Sequence, residues 1–367
     1  MSRQDSATRV PIADPVLGSK ERKRVCDVLD GGQIADGPEV RAFEREFAEA
    51  CGTDHAVATA NGTTALHVAL HACGIGPGDT VVTTPFSFVA TANAVRFCGA
   101  DPAFADIDPA TYNLDPESVR AVAEEVGGVD AVLPVHLYGL PAAMDELDDI
   151  ADEHDAALVE DAAQAHGARY RDEPVGSLAD AAAFSFYPTK NMTTGEGGIV
   201  LTDDETVARR GARFVNHGRN EDGTHAELGH NFRMTSVAGA LGRAQLDRLD
   251  GFVRDRRENA ARLTEALADS SMEAPVEPTG RTHAYHQYTV QCDDRVALAT
   301  HLDDAGVETG VYYPSPIHEL PAYDHVETNC PVAARAAREV LSLPVHPALT
   351  ESQLQTVETA LEKYEGQ

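Results

Sequence analysis

The chain has 367 residues, 43% of them hydrophobic, and a formal net charge of −31. That length can bury a large core and fits two domains, while the charge excludes nucleic acid and anionic membrane as partners. No stretch approaches the roughly 20 apolar residues of a membrane span. Residues 1–6 have no apolar region behind them, so a secretory signal is not expected and a cytoplasmic location is. Six cysteines (Cys26, Cys51, Cys73, Cys98, Cys292, Cys330) are scattered without a C-x-x-C pair, which favours reduced thiols over metal ligands or disulfides. Acid runs along the whole chain. Pervasive acid with few lysines suits concentrated salt, where the screening length falls to about 3 Å at 1 M. The densest block, residues 145–153, reads as a solvated helix face whose Asp145 needs no partner.

Periodicity predicts a helix over 39–50, a strand over 55–59, and a turn at Asn61-Gly62-Thr63-Thr64 opening a helix to about residue 70. A turn at 76–79 feeds a strand over 80–85. A helix over 89–98, a strand over 102–106, a strand over 130–136, a helix over 145–154 and a strand over 157–161 follow. Apolar residues 181–186 form another strand, running through Tyr187-Pro188-Thr189 to Lys190. Such an alternation describes an α/β protein, a mostly parallel sheet with helices on both faces, whose ligands sit at the carboxyl ends of the strands. From about residue 251 the pattern changes: a charged helix over 252–268, an acidic linker over 273–280, a strand over 285–291, and helices over 296–305 and 351–363. Residues 1–250 are therefore expected to form a large domain and 251–367 a smaller one.

Lys190 is one of only four lysines, the others (Lys20, Lys23, Lys363) lying near the ends. A lysine amine can lose its proton and condense with a carbonyl; a guanidinium cannot. Thr194-Gly195-Glu196-Gly197-Gly198 follows it, and this glycine-rich stretch is expected to let backbone approach a ligand. Upstream, Ala157-Leu158-Val159-Glu160-Asp161 ends a strand in a carboxylate, with Gln164 one helical turn on. A lysine with a strand-end aspartate is what pyridoxal phosphate requires, one for its aldehyde and one for its pyridine nitrogen. The alternative for Asp161 is a cap on a following helix. Gly62 and Thr63 at a helix start suit a phosphate, though an ordinary cap fits equally. Phe88 can lie over a flat ring or belong to the core. His136, His166, His217 and His318 are each more simply structural, and none is taken as the proton shuttle, since the lysine can serve.

In this order and spacing, these stretches resemble the DegT/DnrJ/StrS family of pyridoxal phosphate-dependent sugar aminotransferases, of fold type I, over nearly the whole chain. Also carrying the resemblance are Phe88-Val89-Ala90-Thr91-Ala92-Asn93-Ala94-Val95, Pro134-Val135-His136-Leu137-Tyr138-Gly139, Gly229-His230-Asn231-Phe232-Arg233-Met234, Tyr313-Pro314-Ser315-Pro316-Ile317-His318 and Leu343-Pro344-Val345-His346-Pro347. The resemblance implies that Lys190 binds the cofactor covalently, Asp161 pairs with the pyridine nitrogen, Gln164 approaches the ring hydroxyl and Phe88 stacks on the ring. It further implies that Gly62, Thr63 and Ser185 hold the phosphate, and that Asn231 reaches it from the partner subunit of a homodimer with shared active sites. A branch that dehydrates sugars carries histidine in place of the lysine, and Lys190 disfavours it.

The resemblance implies ping-pong transfer of an amino group, usually from glutamate, to a nucleotide-linked keto sugar, as in amino-sugar and cell-surface glycan biosynthesis. Arg219 and Arg233 are candidates for the nucleotide diphosphate. A keto-cyclitol such as scyllo-inosose is the rival substrate, and a regulatory protein holding pyridoxal phosphate without turnover is the rival class. Tyr313-Pro314-Ser315-Pro316 leans towards 3-amino sugars, Asn231-Phe232-Arg233-Met234 towards 4-amino sugars.

Overall fold

The computed structural model describes residues 9–364, so the expectation drawn from residues 1–6 lies outside the described residues. In chain order the first half comprises α1 (Ser19–Gly31), α2 (Pro38–Cys51), β1 (His55–Thr59), α3 (Gly62–Ala72), β2 (Thr80–Thr83), α4 (Ala90–Phe97), β3 (Asp101–Phe104), α5 (Pro116–Val126), β4 (Ala131–Leu133), α6 (Met144–His154) and β5 (Ala157–Asp161). Short strands β6 (Arg169–Tyr170) and β7 (Glu173–Pro174) precede β8 (Ala181–Ser185), β9 (Gly198–Thr202), α7 (Glu205–Phe214), α8 (Ser236–Leu246) and α9 (Leu249–Ala266). The chain closes with β10 (Arg281–Thr282), β11 (Tyr288–Gln291), α10 (Arg295–Asp304), α11 (Pro331–Glu339), β12 (Val340–Leu343) and α12 (Glu351–Glu362).

Seven strands form the central sheet in the order β1-β9-β8-β5-β4-β2-β3, with β9 antiparallel to both its neighbours and the remaining pairs parallel. Both faces are covered, which is why its strands read as continuous apolar runs. Side chains alternate between faces. Ala182 and Phe184 of β8 pack with Phe43 and Phe47 of α2, whereas Ala181 and Ala183 pack with Ala65 and Leu66 of α3. Phe47 meets Phe184 and Phe186 edge-on at 5.2 and 5.3 Å between ring centres, and Phe43 meets Phe186 at 5.2 Å. Such pairs contribute about 0.5–1.5 kcal/mol each beyond area burial. They clamp the strand that leads to Lys190.

The C-terminal core gathers Tyr288 and Val290 of β11, Leu341 and Leu343 of β12, and Leu354 and Val357 of α12. Val10 joins it, bridging to Val307, and α9 gives Ala260 and Leu263 to this core while Leu249 and Val253 enter the main one.

Several expectations need correction. The strand predicted over 130–136 stops at Leu133, because Pro134 has no N–H for a ladder. No helix follows Asp161: residues 162–168 make successive tight turns, Ala165 N–H to Ala162 O and Ala168 N–H to Ala165 O, so Asp161 is not a helix cap. Asp145 is not without a partner, since Arg171 pairs with it at the surface. Of the glycines after Lys190, Gly197 and Gly198 are required by internal packing, while Gly195 holds a left-handed turn at φ 85°. A Cβ at Gly197 would lie 2.2 Å from Thr194 Oγ1, and one at Gly198 would lie 2.4 Å from the Asn61 carbonyl. All six cysteines are free thiols. Among the described residues, no helix is long and apolar enough to cross a membrane.

Candidate active site

A cavity of about 930 Å³ opens at the carboxyl ends of β8 and β5 and is lined by Gly62, Thr63, Phe88, Asp161, Gln164, Ser185 and Lys190. Seven of the eight residues singled out in the sequence therefore share one space. The eighth, Asn231, is exposed and not on its wall.

Local structure fixes each group. Lys190 sits in a tight turn, its N–H donating to Tyr187 O at 2.9 Å. Asn191 Nδ2 ties the same loop to the carbonyls of His166 (3.3 Å) and Ala284 (3.0 Å). Thr193 Oγ1–H donates to Phe186 O at 2.8 Å, closing the loop on its own strand. At the start of α3, Asn61 Oδ1 accepts from Thr64 N–H at 2.9 Å, and Thr64 Oγ1 accepts from Asn61 N–H at 3.1 Å. The ordinary cap is thus real, yet it leaves the N–H groups of Gly62 and Thr63 without intrahelical partners, because first-turn donors have none. A Cβ at Gly62 would come within 2.5 Å of Ser185 Cβ. Only glycine lets these donors and the Ser185 hydroxyl close into a cradle for an anion.

The central carboxylate is deeply buried, Asp161 being 3% exposed. Thr91 Oγ1–H donates to its Oδ2 at 2.8 Å and Ala163 N–H to its Oδ1 at 3.2 Å. Burial raises its pKa, opposed by these two donors and by Lys190. Burial likewise draws Lys190 down to about 8, against the pull of Asp161. An amine so placed is partly neutral near neutral pH and can accept a proton. Phe88 is half-exposed at the wall, 6.2 Å from Tyr313 between ring centres.

His136 is structural. Its Nδ1 accepts Ala142 N–H at 3.0 Å, and its Nε2–H faces Glu160 Oε2 at 2.8 Å. His166 is buried and pushed down to about 3, chiefly by that burial. The histidines on the wall are His67 and His286, and the latter is held well below 6.5 by burial and by Lys190. Sequence reasoning gave no role to His286, Tyr312 or Thr91. The first two come from the C-terminal part of the chain, and Thr91 sits in a run of small residues. Arg219 and Arg233 line a different cavity of about 1180 Å³, where Arg233 Nη1 donates to Asn216 Oδ1 at 2.7 Å.

The donor set fits pyridoxal phosphate: an anion cradle that a Cβ would fill, a buried carboxylate for a pyridine nitrogen, and an amine of lowered pKa. Comparisons with known proteins agree. The chain is 39% identical over 374 residues to a Streptomyces venezuelae protein named dTDP-3-amino-3,4,6-trideoxy-alpha-D-glucose transaminase, covering 99% of this chain and 98% of that one. It is 37% identical over 355 residues to an Acidithiobacillus ferrooxidans protein named UDP-N-acetyl-3-dehydro-alpha-D-glucosamine 3-aminotransferase, covering 96% and 94%. Among solved structures it is similar to S. venezuelae DesV in complex with a ketimine intermediate, with a TM-score of 0.94 at 38% identity, covering 97% of this chain and 98% of that one. The model of the DegT/DnrJ/EryC1/StrS aminotransferase family matches residues 15–362. The chain belongs to that family, a pyridoxal phosphate-dependent aminotransferase of fold type I.

Proposed function

We propose that this aminotransferase moves an amino group from glutamate to a keto sugar carried on a nucleotide. The observation that carries this is the convergence of Lys190, Asp161, Gln164 and the Gly62–Ser185 cradle on one cavity. The substrate class is supported by the two relatives, whose names place their chemistry on dTDP- and UDP-linked sugars. Bound pyridoxal phosphate supplies an electron sink. Lys190 would hold its aldehyde carbon, Asp161 would face the pyridine nitrogen, Gln164 the ring hydroxyl and Phe88 the ring face, while Gly62, Thr63 and Ser185 would hold the phosphate. Lys190 would take the proton from the donor's α-carbon, since burial lowers its amine to about 8. The same amine would deliver a proton to the sugar carbon that gains the nitrogen.

Several features extend this assignment. The active unit is a homodimer in which Asn231 of each chain completes the other's site; the loop that carries it also presents Leu228, 94% exposed. The enzyme works in the cytoplasm of a cell with concentrated salt, for which its net charge of −31 is suited. Its lobes are residues 1–250 and 251–367, with α9 shared between their cores.

Glutamate added to the protein loaded with pyridoxal phosphate should convert the cofactor's absorption to that of the aminated form and release 2-oxoglutarate. The aminated enzyme, offered a panel of UDP- and dTDP-linked 3-keto and 4-keto sugars beside scyllo-inosose, should aminate a nucleotide sugar. Turnover with scyllo-inosose alone would overturn the substrate class, and a spectrum unmoved by any amino donor would mark a binding protein.

A further inference from the structure

Asp161 is supported by a chain of hydroxyls that begins on another element. Thr91, in the first turn of α4, is 1% exposed and donates to Asp161 Oδ2 at 2.8 Å across 70 residues of sequence. Ser87, 4% exposed, lies with its Oγ 2.9 Å from Thr91 Oγ1. An ionised carboxylate only accepts hydrogen bonds, and Thr91 has one proton, which it gives to Asp161. Ser87 is then the donor in the second bond, so the chain runs Ser87 Oγ–H to Thr91 Oγ1–H to Asp161 Oδ2. A protonated Asp161 would allow the chain to run the other way. The order of the hydroxyl protons is therefore tied to the charge on the carboxylate.

We propose that Thr91 is a positioning residue for the reaction: oriented by Ser87, its hydroxyl keeps Asp161 ionised and turned so that the carboxylate's remaining lone pairs face the cavity. This rests on the function proposed above, in which Asp161 faces the pyridine nitrogen. Burial alone would favour the neutral acid, and a neutral acid cannot pair with a protonated ring. Ala163 N–H satisfies only Oδ1. The other titratable groups near the carboxylate are Lys190 from the loop after β8, His136 from the segment after β4 and Tyr313 from the 310–316 loop. Of these Lys190 is bound to the cofactor in the loaded enzyme, His136 is engaged with Glu160, and Tyr313 is uncharged. The hydroxyl chain is then the fixed local support for the charge. Each hydroxyl also polarises the next, so the pair strengthens the terminal bond.

The test uses the full-length protein and the variants Thr91→Val, Thr91→Ser, Ser87→Ala, Asp161→Asn and Thr91→Val/Asp161→Asn. Cofactor affinity is measured by fluorescence titration of the apo-protein, and kcat and KM on the active sugar. Loss of a hydrogen bond to a charged group corresponds to about a 10- to 100-fold effect. Thr91→Val should weaken cofactor binding and lower kcat by that order, with the sugar KM unchanged, and Thr91→Ser should restore both to within about threefold of wild type. Ser87→Ala should show the same pattern at smaller size, and carries the comparison if Thr91→Val does not fold. In the double variant, Thr91→Val should add nothing to Asp161→Asn, since the hydroxyl acts only through the charge. Additive losses, or wild-type behaviour of both Thr91→Val and Ser87→Ala beside an impaired Asp161→Asn, would overturn the proposal. Wild-type affinity and rate in Asp161→Asn would instead overturn the function on which it rests.

Discussion

Gln164 accepts the backbone N–H of Tyr138 on its side-chain oxygen at 2.8 Å, and this single bond decides which end of the amide meets the cavity. With the oxygen taken, Nε2 must face outward, donating one hydrogen to Tyr313 Oη at 3.1 Å and keeping the other for a ligand. Tyr138 holds its N–H there from a left-handed backbone, φ 59°, next to Gly139, whose Cβ would lie 3.0 Å from Gln164 O. Gln164→Glu keeps the shape but replaces the outward donor by a second carboxylate near Asp161. Cofactor affinity should fall about 10-fold or more, in line with the loss of a bond to a charged group. Gln164→Asn, too short to reach both partners, should be no better. Unchanged affinity in a titration of Gln164→Glu would show that the cofactor does not meet this amide.

Lys190→Ala should abolish turnover while leaving the fold, since among the described residues no other amine lines the cavity and packing loses little. The wild-type amine makes a sharper statement. Covalent capture of pyridoxal phosphate needs the neutral amine, and burial draws Lys190 down to about 8. The capture rate of the apo-protein should therefore rise with pH through a midpoint near 8 and flatten above it. Acidifying below the midpoint protonates the amine and slows capture about tenfold per pH unit. A rate still climbing above pH 10, as for a solvated lysine, would contradict the burial seen here.

Asp161→Asn removes the charge but nearly keeps the shape. The lost charge-assisted interaction amounts to about 1.5–3 kcal/mol, or one to two powers of ten in rate, and should appear in kcat more than in substrate KM. Asp149→Asn on the exposed face of α6 is the matched control and should change neither. Similar kinetics for the two substitutions would make Asp161 a structural carboxylate.

The excess of 60 acidic over 29 basic residues has its own consequence. Carboxylates crowd one another across the surface, and salt relieves that repulsion as the screening length shrinks to about 3 Å at 1 M. The thermal unfolding midpoint should rise from about 0.1 M to about 2 M potassium chloride, before any effect of cofactor. A midpoint that is flat or falling over this range would remove the case for a salt-rich interior.

That Lys190 and Asp161 stand out as candidates follows from each being chemically singular where it stands, a lysine in an arginine-using chain and a carboxylate ending an apolar strand, and the fold brings both to one cavity. Thr91 does not stand out. Nothing in Ala90-Thr91-Ala92-Asn93 signals that its hydroxyl meets a carboxylate 70 residues away. Helix α8 is not among the elements expected from the sequence, and it carries Gly239 and Gly242, residues of low helix propensity. In the fold they allow α2 to come close: a Cβ at Gly242 would lie 2.8 Å from the Phe43 ring, and one at Gly239 3.1 Å from Val40 N. The reversed direction of β9 was equally hidden, since five buried residues carry no mark of which way they run. Element type follows local pattern; orientation and close approach follow from tertiary contacts that spacing does not encode.

Asn231 is the residue whose role depends most on a second chain. It is exposed, it lies beside the stacked His230 and Phe232 rings, and its strand-like pairing with Asn216 holds it at the base of the 217–230 loop. If its amide completes the phosphate cradle of a partner, Asn231→Ala alone should weaken cofactor binding without touching Lys190. Mixing subunits then separates the possibilities. In a hybrid dimer of Lys190→Ala and Asn231→Ala chains, one site carries both lesions and the other carries neither. Random exchange makes half of the dimers hybrid, each with one intact site, so activity should return to about a quarter of wild type. Each parent alone stays impaired. If native mass spectrometry shows hybrids and activity does not exceed the average of the parents, Asn231 acts within its own chain or not at all, and the shared site falls.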